Sequence, residues 1–246
     1  MTRRTLSQNF LVDRNAVERM LAVADPVGTV FEPGAGDGVL TKAMARRGVR
    51  VTAYEIDPLL AAKLSAQTRN EPGIQVVRGD FTKARAPRNP FAVVGNIPFS
   101  ATADIVGWCL RTPALTSATL LTQREYARKH TGDYGRWSLT TVLHWPWFDW
   151  QLHGRIDRTG FRPVPSVDAG LLRIDRRKEP LVAHRDSYAE LVRTGFSGIG
   201  GTVRASLHAR YHGVDAALRK AGIADDVVVA YVHPEQWVDL HSALAA

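Results

Sequence analysis

The sequence predicts an α/β fold: a doubly wound, mostly parallel sheet of Rossmann-like layout, followed by a small helical lobe. Three observations carry this. Apolar runs of strand length alternate with helix-compatible stretches through the first 175 residues. The early runs end in glycine-rich or polar turns, where an open α/β sheet places its ligands. From Pro180 onward the pattern is helical. The charged run Arg173 to Glu179, closed by Pro180, is the one credible boundary and divides a catalytic domain, 1–177, from a helical RNA-associated domain, 178–246.

Taken in order, Ser7 to Asp13 forms an N-terminal arm, with Asp13 placed to cap a helix running through Met20 to Ala24. Val27 to Phe31 is a short strand that enters the loop Glu32-Pro33-Gly34-Ala35-Gly36-Asp37-Gly38 and then a helix from Val39 to Arg46. Strand, glycine loop and helix make a nucleotide-binding layout, because the glycines let a ligand approach the backbone and the helix start presents free N–H groups. The spacing is G-x-G-x-G, whereas a pyrophosphate fingerprint asks for G-x-G-x-x-G. Glu32 and Asp37 would repel phosphate and suit a cation. S-adenosylmethionine carries an ammonium and a sulfonium but no phosphate, so charge favours it over a dinucleotide.

The second strand, Val49 to Asp57, ends in acids, and Glu55 falls 21 residues after Gly34, the distance expected of a ribose-binding carboxylate. Asp57 before Pro58 fits the cap of a helix from Leu59 to Thr68. The third strand, Ile74 to Phe81, places Asp80 to accept from an adenine amine and Phe81 to line the ring. The fourth run, Phe91 to Gly95, opens into Asn96-Ile97-Pro98-Phe99 and a helix over Ser100 to Leu110. Ser117 to Thr122 reads as a fifth strand and Gln123 to Lys129 as a helix start. A strand after Pro146 and another over Ala169 to Ile174 complete the sheet. The helical lobe comprises Asp186 to Phe196, Val203 to Tyr211, Val214 to Ala221 and Glu235 to Leu244, with a flexible loop over Gly195 to Gly201.

The four residues at Asn96 carry the chemistry. Pro98 fixes its own φ and pushes Ile97 out of the α region, which leaves the Ile97 carbonyl as an acceptor outside any helix ladder. The Asn96 side-chain oxygen is a second acceptor, and Phe99 supplies a flat apolar face. Two acceptors and a ring fit an exocyclic amine on a flat base. Accepting both N6 hydrogens of adenine pulls that nitrogen toward tetrahedral geometry and frees its lone pair for an electrophile. The same residues also allow an ordinary strand-to-helix turn capped by Asn96.

Composition bounds the rest. The chain has 246 residues, 45% of them hydrophobic, ample for a sizeable core, and carries a net charge of +8. Of that charge, residues 1–175 hold net +7 and residues 176–246 net +1. A basic chain suits a polyanionic partner, with Arg3, Arg4, Arg124, Arg128 and Lys129 as candidate phosphate contacts. Arg193, Arg204, Arg210, Arg219 and Lys220 of the helical lobe read first as a solvated face. No apolar run is long enough to span a bilayer, and the N-terminal residues lack the apolar core of a signal peptide, so a cytoplasmic protein is expected. Cys109 reads as a small core residue and excludes disulfides and a cysteine metal site; no metal is expected. The tryptophans between 145 and 150 read as core or sheet-face residues.

The ordered set S-Q-N-F-L-x-D at 7–13, E-P-G-A-G-D-G at 32–38, Y-E-I-D at 54–57, G-D-F at 79–81, G-N-I-P-F at 95–99 and F-R-P-V-P-S-V-D at 161–168 resembles the ribosomal RNA adenine N6-methyltransferases. It is most similar to their erythromycin-resistance branch, which modifies large-subunit rRNA. The motifs span nearly the whole of the first 175 residues, and their order, more than any one of them, is specific. The resemblance implies a methyltransferase sheet, S-adenosylmethionine as cofactor, rRNA as partner and a monomer. It further implies that Asn9, Leu11, Gly34, Gly36, Glu55, Ile56, Asp80, Phe81 and Asn96 bind the cofactor and that Asn96 to Phe99 hold the target adenine. The tyrosine usual at the fourth position of that last motif is Phe99 here, so stacking survives and a phenolic hydroxyl does not. Phe161, before Pro163 and Pro165, fits a second base-stacking ring offered from a proline-stiffened loop, with a core anchor for that loop nearly as good a fit to the spacing.

Overall fold

A computed structural model describes residues 9–198 and 201–245. Arg3, Arg4, Ser7 and Gln8 therefore lie outside the described residues, as do Ile199 and Gly200 of the expected loop. Chain order begins with β1 (Phe10–Leu11), α1 (Arg14–Ala24), β2 (Thr29–Pro33), α2 (Val39–Ala45), β3 (Arg50–Glu55), α3 (Pro58–Gln67) and β4 (Ile74–Arg78). It continues with β5 (Phe91–Asn96), α4 (Thr102–Arg111), β6 (Leu115–Gln123), α5 (Arg124–His130), α6 (Leu139–His144), β7 (Phe148–Ile156), β8 (Phe161–Arg162) and β9 (Ala169–Arg176). Four helices end it: α7 (Arg185–Gly195), α8 (Val203–His208), α9 (Val214–Lys220) and α10 (Pro234–Leu244).

The seven-stranded sheet has the order β4-β3-β2-β5-β6-β9-β7. Its first five strands are mutually parallel, and β9 runs antiparallel to β6. Strand order reverses between β2 and β5, where Val30 pairs with Ala92 and Phe31 with Val93. That switch point opens a crevice at the carboxyl ends of the two strands, into which the glycine loop and Asn96 emerge. The caps fall where the sequence places them. Asp13 accepts from the Asn15 N–H at 2.8 Å, and Asp57 accepts from Leu59 at 2.8 Å with Pro58 in the first turn of α3.

The chain packs as two compact units. The first comprises 1–127 and 151–175, the second 128–150 and 176–246. The expected division falls after Arg177; the packing breaks the chain at Asp175 instead and groups residues 128–150 with the helical segments, which a linear boundary does not convey. Side chains give the reason: Tyr188 of α7 is fully buried, donates its hydroxyl to the Val142 carbonyl at 2.9 Å and meets the Trp147 ring. In consequence Arg128 and Lys129 belong to the second unit.

Two elements go beyond the sequence reading. The arm and the 161–168 segment meet as an antiparallel ribbon, Phe10 opposite Arg162 and Leu11 opposite Phe161. Helix α6, capped by Ser138, precedes Trp145, so the strand expected after Pro146 begins at Phe148 and runs on to Ile156. Cys109 is fully buried, and that burial pushes its thiol up to about 12, as a core residue and not a nucleophile. Among the described residues no helix is long and apolar enough to cross a membrane.

Candidate active site

The site begins with the backbone of the glycine loop. Gly34 has φ of 71°, and a Cβ there would lie 3.3 Å from Pro98 Cδ and 3.7 Å from the Asn96 carbonyl oxygen. Gly36 has φ of 55°, and its Cβ would press on the Phe10 ring at 3.0 Å. Both positions require glycine for conformation and for space. A narrow cleft between the loop and the arm is lined by Phe10, Leu11, Glu32, Gly34, Gly36 and Asn96, among others.

Glu55 is 3% exposed at the end of β3 and is held by backbone alone. Its Oε2 accepts from the Gly36 N–H at 2.7 Å and its Oε1 from the Asp57 N–H at 2.8 Å. Each oxygen keeps a second lone pair, so the carboxylate is oriented without being exhausted. Ile56 follows it as an exposed side chain. Asp80 caps the next turn, accepting from Thr82 N–H at 2.9 Å and its hydroxyl at 2.8 Å through one oxygen, which leaves the other open. Phe81 departs from the expected ring-lining role. It is buried, edge-on to Tyr54 and tilted on Trp108, and so supports the strand ends from within the core.

Asn96 closes β5. Its amide nitrogen donates to the Asn9 carbonyl at 2.7 Å, joining residues 87 apart in sequence and leaving Oδ1 as the free acceptor. It caps no helix: α4 starts after Ala101 without a side-chain cap, and the turn at Phe99–Ala101 has Pro98 before it. Among the described residues none donates to the Ile97 carbonyl. Ile97 itself is buried and anchors the turn, while Phe99 is half-buried with its ring against the first unit's core. Phe161 is fully buried in that same core, paired with Leu11. The expected base-stacking role is corrected accordingly: the ring offers no free face, and the loop-anchoring alternative describes its place, because β1 covers it.

Sequence reasoning saw Glu32 only as an acidic flank. It is 1% exposed, and burial raises its carboxyl to about 8, with the nearby Glu55 charge adding to the rise and a 2.5 Å bond from the Thr41 hydroxyl opposing it. Asp37 is engaged by Lys63 at 2.6 Å. Glu32 therefore lies buried beside Glu55, with its carboxyl held toward the protonated form. Thr41 was not singled out; a hydroxyl on the buried face of α2, nine residues after an acid at a strand end, was the available signal. Among the described residues no cluster of three His, Cys, Asp or Glu side chains could hold a metal.

Glycines that admit only bare backbone, an oriented carboxylate on the second strand, a free Asp80 oxygen and a latent acid fit a nucleoside bearing a cationic amino-acid tail. The beginning of the molecule's known kinship agrees with that chemistry. The family described as Ribosomal RNA adenine dimethylase matches over residues 1–246. The chain is 47% identical over 248 residues to the rRNA adenine N-6-methyltransferase of Saccharopolyspora erythraea, covering 98% of this chain and 65% of that protein, just under two thirds of its length. It is 50% identical over 250 residues to the rRNA adenine N-6-methyltransferase of Streptomyces fradiae, covering 98% and 78%. The crystal structure of the 23S rRNA methyltransferase ErmE matches with a TM-score of 0.91 at 46% identity, covering 97% of this chain and 100% of that one.

Proposed function

The chain belongs to the ribosomal RNA adenine dimethylase family, and from that premise we propose that it methylates N6 of an adenine in large-subunit (23S) rRNA. Its methyl donor is S-adenosylmethionine, and the consequence for the cell is resistance to macrolide-type antibiotics. It acts in the cytoplasm as a monomer. The observation that carries the chemistry is the bond from the Asn96 amide nitrogen to the Asn9 carbonyl, which fixes the side-chain amide and leaves its Oδ1 to accept.

When bound, S-adenosylmethionine supplies an electrophilic methyl group on a sulfonium. Glu55 would hold it at the ribose, Asp80 at the adenine amine, and Gly34 and Gly36 at the tail. Asn96 Oδ1 and the Ile97 carbonyl accept the two hydrogens of the target N6. This withdraws the nitrogen lone pair from the purine ring and aims it outward; as the new N–C bond forms the sulfur–methyl bond breaks, the sulfur keeps its electron pair and leaves as a neutral thioether, and the excess proton goes to solvent. Phe99 stacks on the target base. No general base is required, since positioning and lone-pair release supply most of the effect. A base taken from a duplex is first extruded at a cost of roughly a few kcal/mol, offset by stacking and hydrogen bonds in the pocket.

Purified large-subunit and small-subunit rRNA, incubated in parallel with the chain and methyl-labelled donor, test this reading. Label is expected in the large-subunit RNA. Label confined to the small subunit would make the chain a ribosome-assembly dimethylase, and label in neither would leave an RNA-binding protein without chemistry.

A further inference from the structure

Within the second unit a cavity of about 560 Å³ lies between the 131–138 segment and Ala230-Tyr231. Its walls include Lys129, Tyr134, Arg136, Trp137, Ser138 and Tyr231. Two of these are cations, three are aromatic and none is acidic, which is the composition that receives a base and its phosphate.

The walls are held in place before any ligand arrives. Arg136 Nε donates to the Tyr231 hydroxyl at 2.8 Å, and its guanidinium carbon lies 5.1 Å from that ring's centroid. The Trp137 N–H donates to the Ala230 carbonyl at 2.7 Å, tying the two segments together. The Trp137 ring is wedged edge-on against Trp145 and His233, with centroids 5.5 and 4.8 Å away. On its other side it lies over Gly132, where a Cβ would come within 2.4 Å of it. Around this fixed floor Tyr134 and Tyr231 are left 46% and 49% exposed, each with an arginine over one face of its ring, Arg128 at 4.0 Å and Arg136 at 5.1 Å from the centroid. Three other cations of this unit are engaged in ion pairs, Arg128 by Asp133, Arg204 by Asp215 and Arg210 by Glu190. The ion pairs found among the described residues include neither Lys129 nor Arg136.

We infer that this cavity binds one unpaired nucleotide of the substrate RNA, its base against the exposed aromatic faces and its phosphate on Lys129 and Arg136. The inference rests on the reading that RNA is the substrate and adds a second point of attachment, separate from the pocket for the target adenine. The cavity's volume lies within the range of about 300–1,000 Å³ typical of small-ligand sites, ample for a single nucleotide. An acidic peptide would use the two cations but would leave the aromatic faces unused.

The test uses the full chain with Tyr231→Leu, Tyr231→Phe and Arg136→Gln. The probe is a transcript of the rRNA segment that accepts label, or of the whole large-subunit RNA where no label transfers. Tyr231→Leu should raise both the RNA dissociation constant and KM roughly tenfold. Its kcat and its affinity for the methyl donor should not change, and the latter also reports that the fold is intact. Tyr231→Phe, which keeps the ring, should bind RNA like the parent. Arg136→Gln should lower the slope of log affinity against log salt by about one phosphate contact. RNA carrying 4-thiouridine should crosslink to Tyr134 or Tyr231. Unchanged RNA affinity in Tyr231→Leu and Arg136→Gln together, or displacement of RNA from this cavity by polyglutamate with crosslinks elsewhere, would overturn the inference. RNA affinity is read whether or not methyl transfer occurs, so failure here is distinguishable from failure of the proposed activity.

Discussion

The crevice at the strand ends and the loop cavity of the second unit are held by different kinds of bonds. In the crevice the deciding contacts run through the main chain: two backbone N–H groups orient Glu55, a backbone carbonyl orients Asn96, and glycines admit the ligand. In the loop cavity side chains carry most of them, Arg136 on Tyr231 and Trp137 against Trp145 and His233, beside one main-chain bond from Trp137 to Ala230. A site built on main-chain contacts at strand ends is rigid and suits positioned chemistry, where small displacements are costly. A site of aromatic and cationic side chains tolerates variation in what it receives, which suits gripping a strand of RNA.

That contrast is broken most directly at Asn96. Asn96→Ala removes an acceptor that matters most as N6 becomes tetrahedral, so single-turnover methyl transfer should fall on the order of 100-fold or more, while affinity for the donor changes little. Near-normal turnover would mean that the amine is held elsewhere. Next in size is Glu55→Ala, expected to weaken donor binding by about 1.5–3 kcal/mol, the range for hydrogen bonds to a charged group, with RNA affinity intact. Calorimetry showing unchanged donor affinity would remove Glu55 from the site.

A smaller effect separates the two units by pH. Burial raises the Glu32 carboxyl from 4.5 to about 8, so the native chain holds a proton that the unfolded chain releases. Its contribution to stability is full below about 4.5 and is lost as pH rises through 8. Burial lowers His130 in the second unit from 6.5 to about 4, with Lys129 adding to the effect. Its contribution is full above 6.5 and is lost as pH falls through 4. Denaturant midpoints measured from pH 4 to 9 should decline at both ends. Glu32→Gln should reduce the alkaline decline and His130→Gln the acid one, to which His241, also lowered by burial, contributes. Donor affinity should also rise with pH up to about 8 in the parent, because a cationic ligand favours ionised Glu32, and should be flat in Glu32→Gln.

The same contrast explains what could be read without the structure. Gly34, Glu55, Asp80 and Asn96 were legible because each sits at the end of its own strand, where local pattern and turn chemistry dictate backbone form. The contact between Asn9 and Asn96 was anticipated only as shared proximity to the cofactor, since a separation of 87 residues leaves no periodic trace. Phe161 was ambiguous for a related reason: its burial depends on pairing with Leu11, and two-residue strands are too short to show alternation. The Arg136–Tyr231 contact, 95 residues apart, was not legible at all. Charge counting along the chain placed Arg128 and Lys129 with the catalytic domain, whereas packing groups them with the helical segments. A truncation near Lys178 would remove Tyr188 from beside Trp147 and so would disturb the second unit, not cleanly subtract it.

The central claim is that this chain places a methyl group on N6 of a large-subunit adenine. Mass spectrometry of nucleosides from large-subunit rRNA, isolated from cells expressing the chain and from cells expressing Asn96→Ala, tests it most directly. N6-methylated adenosine gained at one position with the parent chain, and absent with the variant, is the predicted result. A methyl group at another atom of the base, or equal modification in both cells, would contradict it.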